Sequence, residues 1–155
     1  MDGETKYKPM TEYYGKMLEK GKEFQDFITK ALIHELGIPL STYSSKEYQT
    51  NTGENVQGIE IKFDDRYKET GNIYIEVMEK SNPENERYVQ SGIYRNDNTW
   101  LYLIGDYNEV FIFGKKTLQG MYRSGKYKEI TTLTSIGFLV DKKSADKYCI
   151  KKLWF

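Results

Sequence analysis

Four charged residues in the middle of the chain have the types and spacing of a metal-dependent hydrolytic site. Glu60, Lys62 and Asp64 alternate with apolar residues over 59–64, and Glu76 lies inside a second apolar stretch. In an extended strand alternate side chains share one face at intervals of about 7 Å, so the first three should point the same way. Carboxylates grouped in this way bind Mg²⁺ or Mn²⁺, which activates water for attack on a phosphodiester, while a lysine stabilises the developing negative charge.

A β-hairpin is the arrangement that would bring these residues together. Residues 57–64 and 72–78 alternate strictly between apolar and polar, which predicts two strands, and the connection between them is rich in turn formers. Registers that keep the two apolar faces on one side place either Lys62 or Glu60 opposite Glu76. Both registers gather carboxylates within about 4.5 to 8 Å, close enough for one hydrated divalent cation to bridge them.

A long amphipathic helix is predicted ahead of these strands. Apolar side chains recur with a helical period over residues 11–36. Thr11 is placed to cap the start of the helix, and Gly37 should end it. Gly21 weakens the first half, so a break near this residue is an alternative.

The remaining sequence predicts short strands and helices. The predicted strands cover residues 40–48, 99–104, 109–113 and 136–140, the short helices cover 86–94 and 115–123, and a short terminal element covers 144–154. The strands at 99–104 and 109–113 should form a second hairpin. This order predicts a mixed α/β fold, a central sheet flanked by helices, in a single domain over residues 1–155.

Composition excludes several classes of site. His34 is the only histidine and Cys149 the only cysteine, so an internal disulfide and a zinc site built from cysteine and histidine are both excluded. The apolar runs are too short to cross a bilayer, and the first residues lack the apolar core of a secretory signal. We therefore expect a cytoplasmic protein.

Charge gives a weaker indication of partners. The chain has 23 Lys and Arg against 23 Asp and Glu, so the net charge indicates no affinity for nucleic acid. Basic side chains are in excess after residue 90 and acidic ones before it. The lysine pairs at 115–116, 142–143 and 151–152 are the best candidates for phosphate contacts.

One stretch of the sequence resembles a known family. A helix containing glutamates is followed by residues 58–64, which read Gly-Ile-Glu-Ile-Lys-Phe-Asp, and by residues 70–80, which read Thr-Gly-Asn-Ile-Tyr-Ile-Glu-Val-Met-Glu-Lys. Over about residues 15–113 this order resembles the PD-(D/E)xK nuclease superfamily, which has the restriction-endonuclease-like fold, and especially its small phage-type or Holliday-junction-resolvase-like members. The resemblance implies a Mg²⁺- or Mn²⁺-dependent deoxyribonuclease.

The resemblance also implies roles for single residues. In that family one acidic residue on the first hairpin strand, and another two positions before a lysine on the second strand, form the metal site. Glu60 or Asp64 matches the first element and Glu76 matches the second, so these three are the expected metal ligands. The lysine position holds Met78. Either Lys62 supplies the catalytic ammonium from the neighbouring strand, as in members whose lysine has migrated, or the site no longer cuts.

The first helix is expected to add an acidic residue to the site. In related folds a glutamate on this helix joins the metal ligands. Glu23, which lies beside Phe24, is the expected auxiliary acid, and Glu19 is the alternative.

Three functions are therefore compared. The first is a metal-dependent endo- or exodeoxyribonuclease acting on DNA, and the second is a catalytically inactive module of the same fold that binds nucleic acid or a protein. The third is an accessory protein that uses its 14 tyrosines as an interface. A homodimer is also compatible with a nuclease of this size.

Overall fold

The computed structural model describes the backbone of residues 2–155 and the side chains of residues 15–155. The chain divides into two compact units, Met1–Pro39 and Leu40–Phe155. The predicted mixed α/β class is confirmed, but the strands form two four-stranded sheets, one mixed and one antiparallel, where one central sheet was predicted.

The first unit contains a single helix, α1 (Asp2–Leu36). The prediction that the helix begins at Thr11 is wrong, since helical backbone extends back to Asp2, and the cap predicted for Thr11 rests on a side chain outside the described ones. The break considered near Gly21 does not occur. The predicted end is confirmed: Gly37 adopts a left-handed conformation, with φ of 67°, and donates from its N–H to the carbonyl of Ile33 at 3.0 Å.

The second unit contains all the strands. In chain order its elements are α2 (Lys46–Asn51), β1 (Ile59–Phe63), α3 (Tyr67–Thr70), β2 (Asn72–Glu79), β3 (Val89–Gln90), a 3-10 helix (Gly92–Tyr94), β4 (Leu101–Gly105), β5 (Glu109–Gly114), α4 (Lys115–Arg123), β6 (Glu129–Thr131), β7 (Ser135–Asp141), α5 (Lys142–Tyr148) and β8 (Lys151–Trp154).

Two sheets are built from these strands. The first has the order β1-β4-β5-β8, in which β1 is parallel to β4 and the other pairs are antiparallel. The second has the order β3-β2-β7-β6 and is wholly antiparallel. Both sheets contribute to one cluster of buried side chains, which includes Ile73, Ile75 and Phe138 from the second sheet and Tyr102 and Phe111 from the first.

The hairpin predicted between residues 57–64 and 72–78 is wrong. Both segments are strands, but β1 pairs with β4 and β2 pairs with β7, so Glu60 lies opposite Tyr102 and Glu76 lies opposite Gly137. The connection forms the short helix α3, ended by a left-handed Gly71, in place of a tight turn. The two strands therefore leave their connection into different sheets.

Two other local predictions are wrong. Residues 40–48 contribute only an isolated bridge between Thr42 and Asn55, because the Ser45 hydroxyl accepts from the N–H of Tyr48 and begins helix α2. Residues 86–94 hold β3 and the 3-10 helix where one short helix was predicted. The hairpin of β4 and β5 and the helix over residues 115–123 are confirmed.

Candidate active site

The pair Glu60 and Lys62 forms the centre of the candidate site. Both side chains extend from the same face of β1, and Lys62 Nζ lies 2.9 Å from Glu60 Oε1. The Glu60 side chain is only 8% exposed, whereas that of Lys62 is 52% exposed. The attraction of Glu60 raises the pKa of Lys62, so this lysine stays protonated while much of its side chain remains accessible.

Glu54 belongs to the same cluster, and the sequence analysis missed it. Burial and then repulsion from Glu60 raise the pKa of Glu54, while the charge of Lys62 lowers it. Two carboxylates and one ammonium therefore act on each other across the start of β1. One sequence pattern could have identified Glu54. Glu60-Ile61-Lys62 places an acid two positions before a lysine, and Glu54 is another acid a few residues earlier.

The loop between Glu54 and β1 is closed by Asn55. The buried side chain of Asn55 donates from Nδ2 to the carbonyl of Ile59 at 2.6 Å and accepts from the N–H of Ile59 at 2.9 Å. Gly58 completes the turn with a φ of 73°, a backbone conformation that favours glycine. These bonds fix the chain between Glu54 and the strand that bears Glu60.

Glu76 is partly buried on β2 and acts on Lys62 through its charge. Burial raises the pKa of Glu76, and the attraction of Lys62 and a hydrogen bond from Ser91 work against this rise. The Ser91 hydroxyl donates to Glu76 Oε2 at 3.0 Å, and Ser91 itself is fully buried. The predicted proximity of Glu76 to Lys62 therefore exists, although it arises between two sheets and not within a hairpin.

Asp64 uses its carboxylate to join the end of β1 to β2. Oδ2 accepts from the backbone N–H of Tyr74 at 2.9 Å, and Oδ1 accepts from the backbone N–H of Arg66 at 3.2 Å. Burial raises the pKa of Asp64 despite these bonds. Both oxygens thus have a backbone partner, which is the pattern of a structural carboxylate.

Lys62, Asp64 and Glu76 line one cavity of about 450 Å³. The cavity lies in the second unit, where β1 and the loop that follows it meet the part of β2 that contains Tyr74, Ile75 and Glu76. Its volume lies within the range of about 300–1,000 Å³ that small-molecule sites occupy.

The role of Glu60, Asp64 and Glu76 as metal ligands stays a prediction. Among the described side chains, no three from histidine, cysteine, aspartate and glutamate are grouped so that they could hold a metal ion. Glu23 and Glu19 lie on exposed positions of α1 in the first unit, and the role of Glu23 as an auxiliary acid stays a prediction.

Two of the six lysines proposed for phosphate contacts are largely buried against internal partners, and a third, the half-exposed Lys142, lies 3.7 Å from Glu109. Lys115 Nζ donates to the carbonyl of Arg95 at 2.7 Å and lies 3.3 Å from the carboxylate of Asp97. The side chain of Lys152 is 9% exposed, and its Nζ pairs with Glu109 at 3.0 Å and with Asp146 at 2.9 Å. These two lysines hold the fold together, so phosphate contacts are better sought at the exposed Lys116, Lys143 and Lys151 and the half-exposed Lys142.

Comparison with known proteins returns no relative. The chain matches no protein-family model, no curated protein and no solved structure at a significant level. Within the described part of the chain, every helix is too short or too polar to cross a lipid bilayer.

Proposed function

We propose that the protein is a divalent-metal-dependent deoxyribonuclease whose reactive centre is formed by Glu54, Glu60 and Lys62. The observation that carries the proposal is the ion pair of a buried glutamate with a half-exposed lysine beside a second carboxylate. Titratable groups that perturb one another in a concave, partly buried place are typical of functional sites.

Under this proposal the two glutamates would hold a Mg²⁺ or Mn²⁺ ion. Glu54 and Glu60 repel each other, which is unfavourable unless a cation or a proton is shared between them. Mg²⁺ is commonly held by one or two carboxylates together with waters and substrate phosphate oxygens, so a third protein carboxylate is not required. When bound, the ion would polarise the phosphoryl group and lower the pKa of a coordinated water.

In this proposal Lys62 is the positively charged side chain that contacts the phosphate. Its ammonium is kept protonated by Glu60 and is drawn in the same direction by Glu76. The exposed part of the side chain can therefore contact a DNA phosphate and stabilise the charge that grows on its oxygens during hydrolysis.

One part of the family pattern supports this choice of residues, although the hairpin on which the family carries its acids is not formed. The expected pattern of an acid two positions before a lysine is present at Glu60-Ile61-Lys62, so Met78 need not occupy the lysine position. Glu54 takes the part of the preceding acid. Asp64 and Glu76 are then assigned to the surroundings of the centre, and their earlier interpretation as metal ligands remains the alternative within this proposal.

Cleavage of supercoiled and linear DNA with Mg²⁺ or Mn²⁺ tests the proposal. We expect products that disappear with EDTA and that Glu60→Gln no longer forms, because the amide is a poor metal ligand and cannot pair with Lys62. Glu84→Gln, which changes an exposed loop glutamate, is the matched control and should cut normally. Undiminished cleavage by Glu60→Gln would reject the assignment of Glu60 to the reactive centre.

A second function is favoured by one observation. Both oxygens of Asp64 accept backbone N–H groups, as would suit a nuclease-like module that binds DNA without cutting it. This alternative predicts salt-dependent DNA binding, equal with and without divalent ions, and no product from the wild-type protein.

A further inference from the structure

We propose that the cavity beside Lys62 binds a nucleobase that carries an exocyclic amino group, with Tyr74 as the stacking surface and Glu76 as the hydrogen-bond acceptor. The proposal rests on the function proposed above, because the phosphate of the same nucleotide would lie at Lys62, which lines the cavity. It extends that function by proposing that the second sheet recognises the base of the nucleotide.

Tyr74 is held in one place. Its hydroxyl lies 2.7 Å from Ser135 Oγ, and its ring lies against the backbone of Gly137, where an added Cβ would come within 2.5 Å of the ring carbon Cζ. A side chain at residue 137 would collide with this ring and with the carbonyl oxygen of Ile75. A ring fixed at both its edge and its face loses little conformational freedom when a planar ligand stacks on it.

Glu76 is the acidic group nearest to Tyr74 along the same face of β2. The two residues are two positions apart on one strand, so their side chains start about 7 Å from each other on the same side. Ser91 binds one oxygen of Glu76, Oε2. A carboxylate at this distance from a stacking ring can accept hydrogen bonds from the edge of a base.

The remaining lining favours a neutral ring over an anion. Ile93, Ile104 and Leu139 supply apolar surface. The charged lining residues are three acids against two bases, namely Asp64, Asp65 and Glu76 with Lys62 and Arg66. A phosphate would be repelled from the interior, and a planar heterocycle with outward N–H groups would be accepted.

An amino group decides between bases. Cytosine, adenine and guanine each present an NH₂ group that can donate to a carboxylate. The single ring N–H on the pairing edge of thymine lies between two carbonyl oxygens, which repel the carboxylate of Glu76. We therefore expect deoxycytidine and deoxyadenosine to bind more tightly than thymidine.

Titration of the wild-type protein with free nucleosides, followed by NMR without any divalent ion, tests the proposal separately from cleavage. We expect dissociation constants on the order of 1 mM for deoxycytidine and deoxyadenosine, and binding of thymidine at least about fivefold weaker. Tyr74→Leu should weaken binding about tenfold, whereas Tyr74→Phe, which keeps the ring, should stay within about twofold of the wild type.

Glu76→Gln should abolish the preference over thymidine, and Glu79→Gln, on the same strand but outside the cavity lining, should keep it. Absence of nucleoside binding, equal binding of thymidine, or unchanged binding by Tyr74→Leu would each overturn the inference. Metal-dependent cleavage without nucleoside binding would reject the nucleobase site and leave the proposed nuclease function standing. Nucleoside binding by a protein that cuts no DNA would support the nucleobase site and reject the nuclease function.

Discussion

Asp64 and Tyr74 are joined by a hydrogen bond of 2.9 Å between the carboxylate Oδ2 of the first and the backbone N–H of the second. The bond connects strands that belong to different sheets and follow one another in sequence. It fixes how the strand bearing Glu60 lies relative to the strand bearing Glu76.

Substitutions that remove this hydrogen bond distinguish a structural role of Asp64 from a catalytic role. We expect Asp64→Ala to lower the free energy of unfolding by about 2 kcal/mol, because two backbone N–H groups lose a charged acceptor. Urea denaturation measures the change. Asp64→Asn retains one acceptor oxygen and should lose less stability, with cleavage kept in proportion to the folded fraction. A stable Asp64→Asn protein without any activity would instead identify Asp64 as a metal ligand.

Lys62 should matter for catalysis and also for stability. Its own side chain is half exposed, but that of Glu60 is only 8% exposed, so Lys62→Met leaves a buried carboxylate without its ion-pair partner and should lower the free energy of unfolding by about 2 kcal/mol. The same substitution should lower kcat about 100-fold or more, because one charge that stabilises the transition state is removed. Single-turnover cleavage and thermal unfolding measure the two effects. Lys68→Met, which changes an exposed lysine of α3, serves as the control.

Glu76 should make the protein less stable as the pH rises. Burial raises its pKa above the ordinary value of 4.5, so the folded state binds the proton more tightly than the unfolded state does. The contribution is most favourable below pH 4.5 and is lost as the pH rises through the folded pKa. Glu76→Gln cannot ionise, so it should gain stability relative to the wild type between pH 4 and pH 7. Urea denaturation at several pH values measures this, and a constant difference would contradict it.

Lys152 should be a stabilising residue in spite of its charge. It lies between the rings of Phe111 and Trp154, at 4.6 and 4.0 Å from their centroids, and pairs with Glu109. Lys152→Met leaves the buried Glu109 carboxylate with fewer partners, and we expect a loss of about 3 kcal/mol. Lys151, an exposed residue on the same strand, offers the control. Lys151→Met should change the free energy of unfolding by less than about 0.5 kcal/mol.

Acid should weaken the same network. Burial alone would raise the pKa of Glu109, but hydrogen bonds from Tyr67 and Lys152 hold it below its ordinary value of 4.5. The stabilisation is therefore complete above pH 4.5 and is lost as the pH falls through the folded pKa. Glu109→Gln should reduce the loss of stability on acidification, as measured by urea denaturation between pH 3 and pH 6.

Local patterns predicted the strands and helices better than their partners. Strict alternation was sufficient to identify β1 and β2, and the helical period identified α1, because these signals depend on neighbouring residues alone. The partner of β1 is β4, some forty residues later, and no local pattern distinguishes that pairing from a hairpin. The same limit affected the candidate site. The charges of Glu54 and Glu60 repel each other across a loop that the side chain of Asn55 closes. Alternation within a strand cannot reveal such a loop.

The parallel pairing of β1 with β4 also sets an order of assembly. The segment that bears Glu60 and Lys62 has no sheet partner until residues 101–105 have left the ribosome, and by then the whole of β2 has been synthesised. A nascent chain stopped near residue 95 would contain every proposed reactive residue without the strand that aligns two of them. Translation must therefore run well past the proposed centre before that centre can exist.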